Sequence, residues 1–282
     1  MQDCRLNLIQ LILNRMATQV LTRLLRIAAC STFACGAVPV FAQTDLEGLT
    51  CLSPPFEAAP TEQEQKVRSL VVWLRSALGE FDSLIEILDD PSLEVCLGER
   101  LFGIQGYFEV GSRRIVLRAD LEPGLMRAVA IHELRHAQQD SMGICLHPDL
   151  SMQSSARLVL AMEADASAIG AGIAWVLRQS GEPEVWDALA DWPGQSSVVQ
   201  AFEDEIADSG DFARATTAAF ARWYEVDDLR EVYYRAACSA YLDRQDQTHA
   251  IAGYDSVDDA AFRALCRLPT GDAYDCQEPD LE

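Results

Sequence analysis

Lysine is nearly missing from this chain: Lys66 is the single one among 22 basic residues, against 44 acidic ones. The formal charge is -22, and because residues 1–42 hold four arginines and one aspartate, the remainder lies near -25. Such a surface repels nucleic acid and anionic membranes, so nucleic-acid binding is excluded. No Cys-x-x-Cys pair occurs, which argues against a cysteine-built zinc site. Internal repeats and low-complexity linkers are also missing. Histidine occurs only four times, so any ordered pair of histidines carries information.

The first 42 residues read as a targeting segment. Arg23 and Arg26 precede an apolar run, Ile27 to Ala42, that ends in Val40-Phe41-Ala42 with small residues where a signal peptidase needs them. Met16 is an alternative start that gives a more ordinary signal length. The run is too short and interrupted for a stable membrane span. Ile27-Ala28-Ala29-Cys30 faintly resembles a lipoprotein box, but Cys30 precedes most of the apolar run. A periplasmic or secreted mature chain, residues 43–282, is expected, long enough for one large domain. It keeps six cysteines: Cys51, Cys96, Cys145, Cys238, Cys266 and Cys276. An even number in an exported chain predicts disulfides, at least two of them, without choosing among the 15 complete pairings.

Thr44 to Pro60 reads as irregular. Thr61 with Glu64 forms a capping-box pattern that opens a helix with Val67, Leu70, Val71, Leu74 and Leu78 on one stripe. A short helix or turn follows around Phe81 to Leu88. Residues 93–119 change period and predict a strand at Leu93 to Leu97. A hairpin follows, Gly106 to Val110 and Arg113 to Leu117, turning at Gly111-Ser112. Ser154 to Gln179 is apolar or small nearly all round and therefore reads as a buried helix. From Glu182 onward the pattern is helical, with candidates at 182–190, 197–208, 211–223, 227–243 and 257–267. Residues 271–282 form an acidic tail.

The organising stretch is Ile131-His132-Glu133-Leu134-Arg135-His136, a His-Glu-x-x-His. On a helix started by Pro123, residues four apart share a face, so His132 and His136 can aim at one ion. Leu125, Ala128 and Val129 lie on the same stripe, which therefore faces inward, where two histidines need partners. Glu133 follows the first histidine and can serve as a general base toward a water on the ion. The later buried helix carries Glu163 and Asp165, and a carboxylate there must be paired, protonated or bound to metal. Glu163 shares its stripe with Val159, Ala166, Ser167 and Gly170, small enough for close helix approach. Asp165 points nearly the opposite way. An ion pair with an arginine such as Arg157 is the bland account of Asp165. His147, eleven residues past His136, reads as a loop histidine.

Residues 106–180 resemble the gluzincin-type zinc metallopeptidases and are similar to a little-characterised bacterial family of putative metallopeptidases. The His-Glu-x-x-His and Glu163-Ala164-Asp165-Ala166 carry that resemblance. It implies an α+β, predominantly helical, zincin-like fold: a small antiparallel sheet leading into the active-site helix, then a helical C-terminal part. Residues 43–282 would form one such domain, with the sheet and two metal-binding helices in 43–180 and a helical subdomain in 181–282. It implies one zinc ion on His132, His136 and Glu163, with Glu133 as general base and peptides or proteins as substrates. Many gluzincins carry an acidic residue four past the ligand glutamate. Here that position is Ser167, and Asp165 is left as a second-layer group or alternative ligand. Tyr233 and Tyr234 are candidates to stabilise an oxyanion, as are Tyr224 and His249, although core packing is the simpler account of each tyrosine. The hairpin strand nearest the His132 helix could take an extended peptide by strand addition.

Two other readings compete with an exported zinc peptidase. One is a non-catalytic module whose helices are stapled by zinc and whose acidic surface binds a periplasmic protein partner. The other is a helical binding protein with a chance motif. Zinc content separates the last from the first two, and the behaviour of a Glu133 variant separates those.

Overall fold

In the computed structural model, which describes residues 48–101 and 103–278, the capping box forms. The Thr61 hydroxyl accepts from Glu64 N–H at 3.2 Å, while Thr61 N–H donates to the Glu64 carboxylate at 2.8 Å. This opens α1 (Glu62–Ala77), whose Val67, Leu70, Val71 and Leu74 are buried as the stripe requires. α2 (Asp82–Leu88) follows. The targeting segment expected over residues 1–42 lies outside the described residues.

Four short strands make one sheet: β1 (Leu49–Leu52), β2 (Glu94–Gly98), β3 (Gly106–Glu109) and β4 (Arg114–Arg118), in the order β1-β2-β4-β3. This corrects the sequence reading twice. The irregular stretch contains a strand, β1, held to β2 by a Cys51–Cys96 disulfide across directly paired residues. The sheet is mixed, not antiparallel, because β4 inserts beside β2 and runs parallel to it. The Arg114–Glu94 ion pair, 2.7 Å, joins the first register pair of those two strands. β3 is left at the outer edge, antiparallel to β4. Val95, Leu97, Phe108, Ile115 and Leu117 face the main core. Cys96, Tyr107 and Val116 form a small second cluster on the opposite face.

α3 (Pro123–Ser141) leaves the sheet and packs back across β3 and β4. α4 (Met152–Gln179), capped by Ser151, crosses it. α4 is long and apolar enough to cross a membrane by length and composition, yet 78% of its most apolar stretch is buried inside the protein. It is the core helix. The rest follows the expected helices closely: α5 (Glu184–Asp191), α6 (Ser196–Ser209), α7 (Phe212–Glu225), α8 (Asp227–Thr248) and α9 (Asp259–Leu265). α7 and α8 lie on α4, and one continuous core runs from Leu52 to Cys276. A second disulfide, Cys266–Cys276, closes the segment after α9. In the chain-entropy account the two bridges contribute about 4 and about 3 kcal/mol respectively. Cys238 is a free thiol.

The site depends on how closely α3 sits to the edge strand, and Gly106 sets that distance. A Cβ there would lie 2.7 Å from Val129 Cγ1 and 2.9 Å from Leu117 Cδ2, both side chains of the core. Gly106→Ala should therefore destabilise the fold by about 1–3 kcal/mol, read as a lower urea midpoint. Gly111→Ala, where nothing lies within 4 Å, should be close to neutral.

Candidate metal centre

α3 supplies two imidazoles one turn apart. The Nε2 atoms of His132 and His136 face each other at 3.1 Å. α4 brings Glu163 between them, with one carboxylate oxygen 3.4 Å from His132 Nε2 and the other 3.6 Å from His136 Nε2. Zinc ligands at about 2.0–2.1 Å in a tetrahedral site stand about 3.3–3.4 Å apart. Here one ligand atom from each of the three residues lies within 4.8 Å of the others, a convergence that small side-chain adjustments can close around one ion. The donor set, two imidazoles and a carboxylate, suits zinc. Asp165 does not join it.

The electrostatics fit the same reading. Burial works to raise the Glu163 pKa, yet His136 and His132 hold it far below the usual carboxylate range. Burial alone would lower the pKa of His136, but Glu163 and Glu133, helped by Gln139, push it up to about 9. The metal-free site therefore holds a proton that a cation replaces.

Glu133 is buried, and burial raises its pKa, partly offset by His136 and His132 and by a backbone hydrogen bond from Phe108 of β3. Its Oε2 has no hydrogen-bond partner among the described residues. An unpartnered buried carboxylate oxygen is costly and needs an occupant that the protein chain does not supply. Glu133, His132, His136 and Glu163 all line one cavity of about 330 Å³. Its other walls are mainly small or apolar, including Ala166, Gly170, Leu189, Trp192 and Leu229.

Of the remaining candidates, Tyr233 reaches the site. It lines the cavity and its hydroxyl bonds Glu163, whose charge, with burial, raises the tyrosine pKa well above 10. Tyr234 does not: it is 45% exposed and its hydroxyl bonds Cys238, because adjacent residues on α8 point about 100° apart. Neither Tyr224 in the core nor exposed His249 lines the cavity.

Asp165 is fully buried and accepts four hydrogen bonds. Arg135 grips it twice, at 2.6 and 2.9 Å, Gln139 Nε2 donates at 2.7 Å, and the Tyr274 hydroxyl at 2.6 Å. Its arginine partner is thus Arg135, not Arg157, which pairs with Glu278. The sequence reading missed Arg135, Gln139 and Tyr274. Two of them left a signal, since polar residues inside a buried stretch of α3 need partners. Tyr274 is 109 residues away from Asp165 and left none. Ser167, in the place of the acidic residue of many gluzincins, accepts from Gln195 at 3.2 Å.

A family model described as "Putative metallopeptidase family (DUF6782)" matches residues 42–276. No curated protein and no solved structure matches the chain.

Two expectations follow from this geometry. Glu163→Ala should remove bound metal while leaving a folded protein. Asp165→Ala should instead cost about 3–5 kcal/mol of stability by leaving Arg135 buried and unpaired. Metal analysis and urea melts of the two variants would expose a reversed assignment. Because a cation must displace the His136 proton, its affinity should rise with pH up to about 9 and then level off, with ionised Glu163 adding no dependence. Chelator competition across that range would detect a flat profile.

Proposed function

The chain belongs to that family of putative metallopeptidases, and from this premise we propose that it is a zinc-dependent peptidase of the gluzincin type. His132, His136 and Glu163 would hold one zinc ion. The supporting observation is the convergence of their ligand atoms, with the unpartnered Glu133 oxygen lining the same cavity. When bound in such a three-donor site, zinc acidifies water and polarises a carbonyl.

The chain's own residues divide the remaining work. Glu133 takes the proton at its free Oε2, and burial raises its pKa above that of an exposed glutamate, which makes it a stronger base. Phe108 N–H holds that carboxylate from the edge strand. Tyr233, which lines the cavity, would turn its hydroxyl from Glu163 to steady negative charge developing on a substrate carbonyl oxygen. The free side of β3 offers an extended peptide a strand partner at the cavity mouth, where Gln105 and Gly106 line the wall. The cavity favours an uncharged side chain, since among the described residues no charged group lines it beyond the centre's own. A Cβ at Gly170, in the middle of α4, would meet nothing within 4 Å, so the cavity floor is open there. The two disulfides fit an extracellular or periplasmic environment. Removal of residues 1–42 on export is part of the proposal.

Glu133→Gln tests the mechanism. It keeps the side chain's size and the site's donors but removes the proton acceptor. Peptide hydrolysis should slow by roughly 10²–10⁴-fold, with zinc content and melting temperature near wild type. In a zinc-stapled module without catalysis the substitution would be silent in every assay. Full zinc with undiminished hydrolysis would show that the activity does not use Glu133.

A further inference from the structure

On the His136 side of the candidate centre lies a buried polar chain longer than three ligands require. His136 Nδ1–H donates to Gln139 Oε1 at 2.8 Å. The Gln139 amide nitrogen is held by two acceptors, Asp165 Oδ2 at 2.7 Å and the Met162 carbonyl at 2.9 Å. Both acceptors can only accept, so the amide orientation is determined and its oxygen must face the imidazole. That assigns hydrogen to Nδ1 and directs Nε2 to the donor triangle.

Asp165 is fixed from its far side. Tyr274 donates to Oδ1, and Arg135, which grips both oxygens, spends its remaining bonds on the carbonyls of Leu265 and Arg267, each at 2.9 Å, and on Gln138. The segment 265–276 thus presses a hydroxyl and two carbonyls onto the Arg135–Asp165 pair. The Cys266–Cys276 disulfide closes that segment on itself. Arg135, Gln139, Asp165 and Tyr274 are all buried.

We propose that Gln139 is the positioning residue for His136, and that the disulfide-closed C-terminal segment belongs to the metal centre because it locks Gln139 in place through Asp165. The proposal rests on the reading of His136 as a metal ligand. Gln139 supports His136 from three residues along the same helix. Without it the imidazole is free to turn or to change tautomer, and binding the ion must then restore both.

The test measures affinity of the full chain for Zn²⁺ by competition with a chromophoric chelator, with no substrate present. Gln139→Leu should weaken zinc by roughly 10–100-fold. Gln139→Glu keeps an acceptor for Nδ1 but sets its second oxygen against Asp165 Oδ2 and the Met162 carbonyl, so it should not restore wild-type affinity. Tyr274→Phe retains the packing and deletes the bond to Asp165, and should weaken zinc several-fold. The metal-free melting temperature of each variant shows whether it is folded. If Gln139→Leu, or Gln139→Glu, binds zinc like wild type, Gln139 does not position His136. If Tyr274→Phe is silent, the C-terminal segment has no part in the centre, and this variant decides the matter even if Gln139→Leu does not fold. Failure of wild type to take up zinc would overturn the metal reading itself. Loss of peptidase activity alone would leave the proposal standing.

Discussion

The contact on which the structure most depends is the Arg135–Asp165 pair. Both groups are buried to about 1% exposure or less. Taking two charges out of water costs several kcal/mol per ion, and Coulomb attraction offsets this only when every remaining polar atom is matched. Here the match is close. Asp165 accepts four bonds, and Arg135 adds two backbone carbonyls and the Gln138 amide oxygen. The pair gains little as a source of stability. Its value is geometric: it ties α3, α4 and the C-terminal segment at one point.

The candidate centre lies one turn of helix from that point, and it works on the opposite electrostatic principle. Around Asp165 every atom is satisfied. Around His132, His136 and Glu163, three donors converge at 3.1–3.6 Å and Glu133 keeps an unpartnered oxygen. A polar group left unsatisfied in a packed interior is normally removed by selection for stability. Two polar clusters on the same two helices, one saturated and one open, separate a structural role from a role that awaits an ion and a substrate.

The sequence showed the open cluster better than the closed one. His132, Glu133 and His136 were legible because helical periodicity alone puts them on one face. Glu163 was legible from its small neighbours and from the gluzincin resemblance. The helices were legible because capping and apolar stripes are local. The mixed sheet was not, since the hairpin pattern at 106–117 does not say on which side of β2 it docks. Nor does Leu-Thr-Cys-Leu announce a strand until Cys51 is opposite Cys96. Tyr274 was beyond reach for the same reason: its partner lies a hundred residues away. The bland account of Asp165, an ion pair with an arginine, holds in kind but with Arg135 in place of the example Arg157, because intrahelix spacing makes no claim about which arginine arrives from α3.

The composition of α4 explains how both clusters fit on it. Glu163 must bring a carboxylate within 3.6 Å of two imidazoles on another helix while Asp165, two residues on, reaches Arg135 on that same helix. Both contacts require the helices to lie close, and the alanines at Ala161, Ala164, Ala166, Ala168 and Ala171 permit it. Glycine in a helix costs roughly 1 kcal/mol relative to alanine. At Gly172 the cost follows from packing, since a Cβ there would lie 2.6 Å from Phe212. At Gly170 no neighbour forbids a larger side chain, so packing gives no reason for the glycine. What a side chain at Gly170 would occupy is the cavity itself, so the cost at that position goes to keeping space open beside the centre.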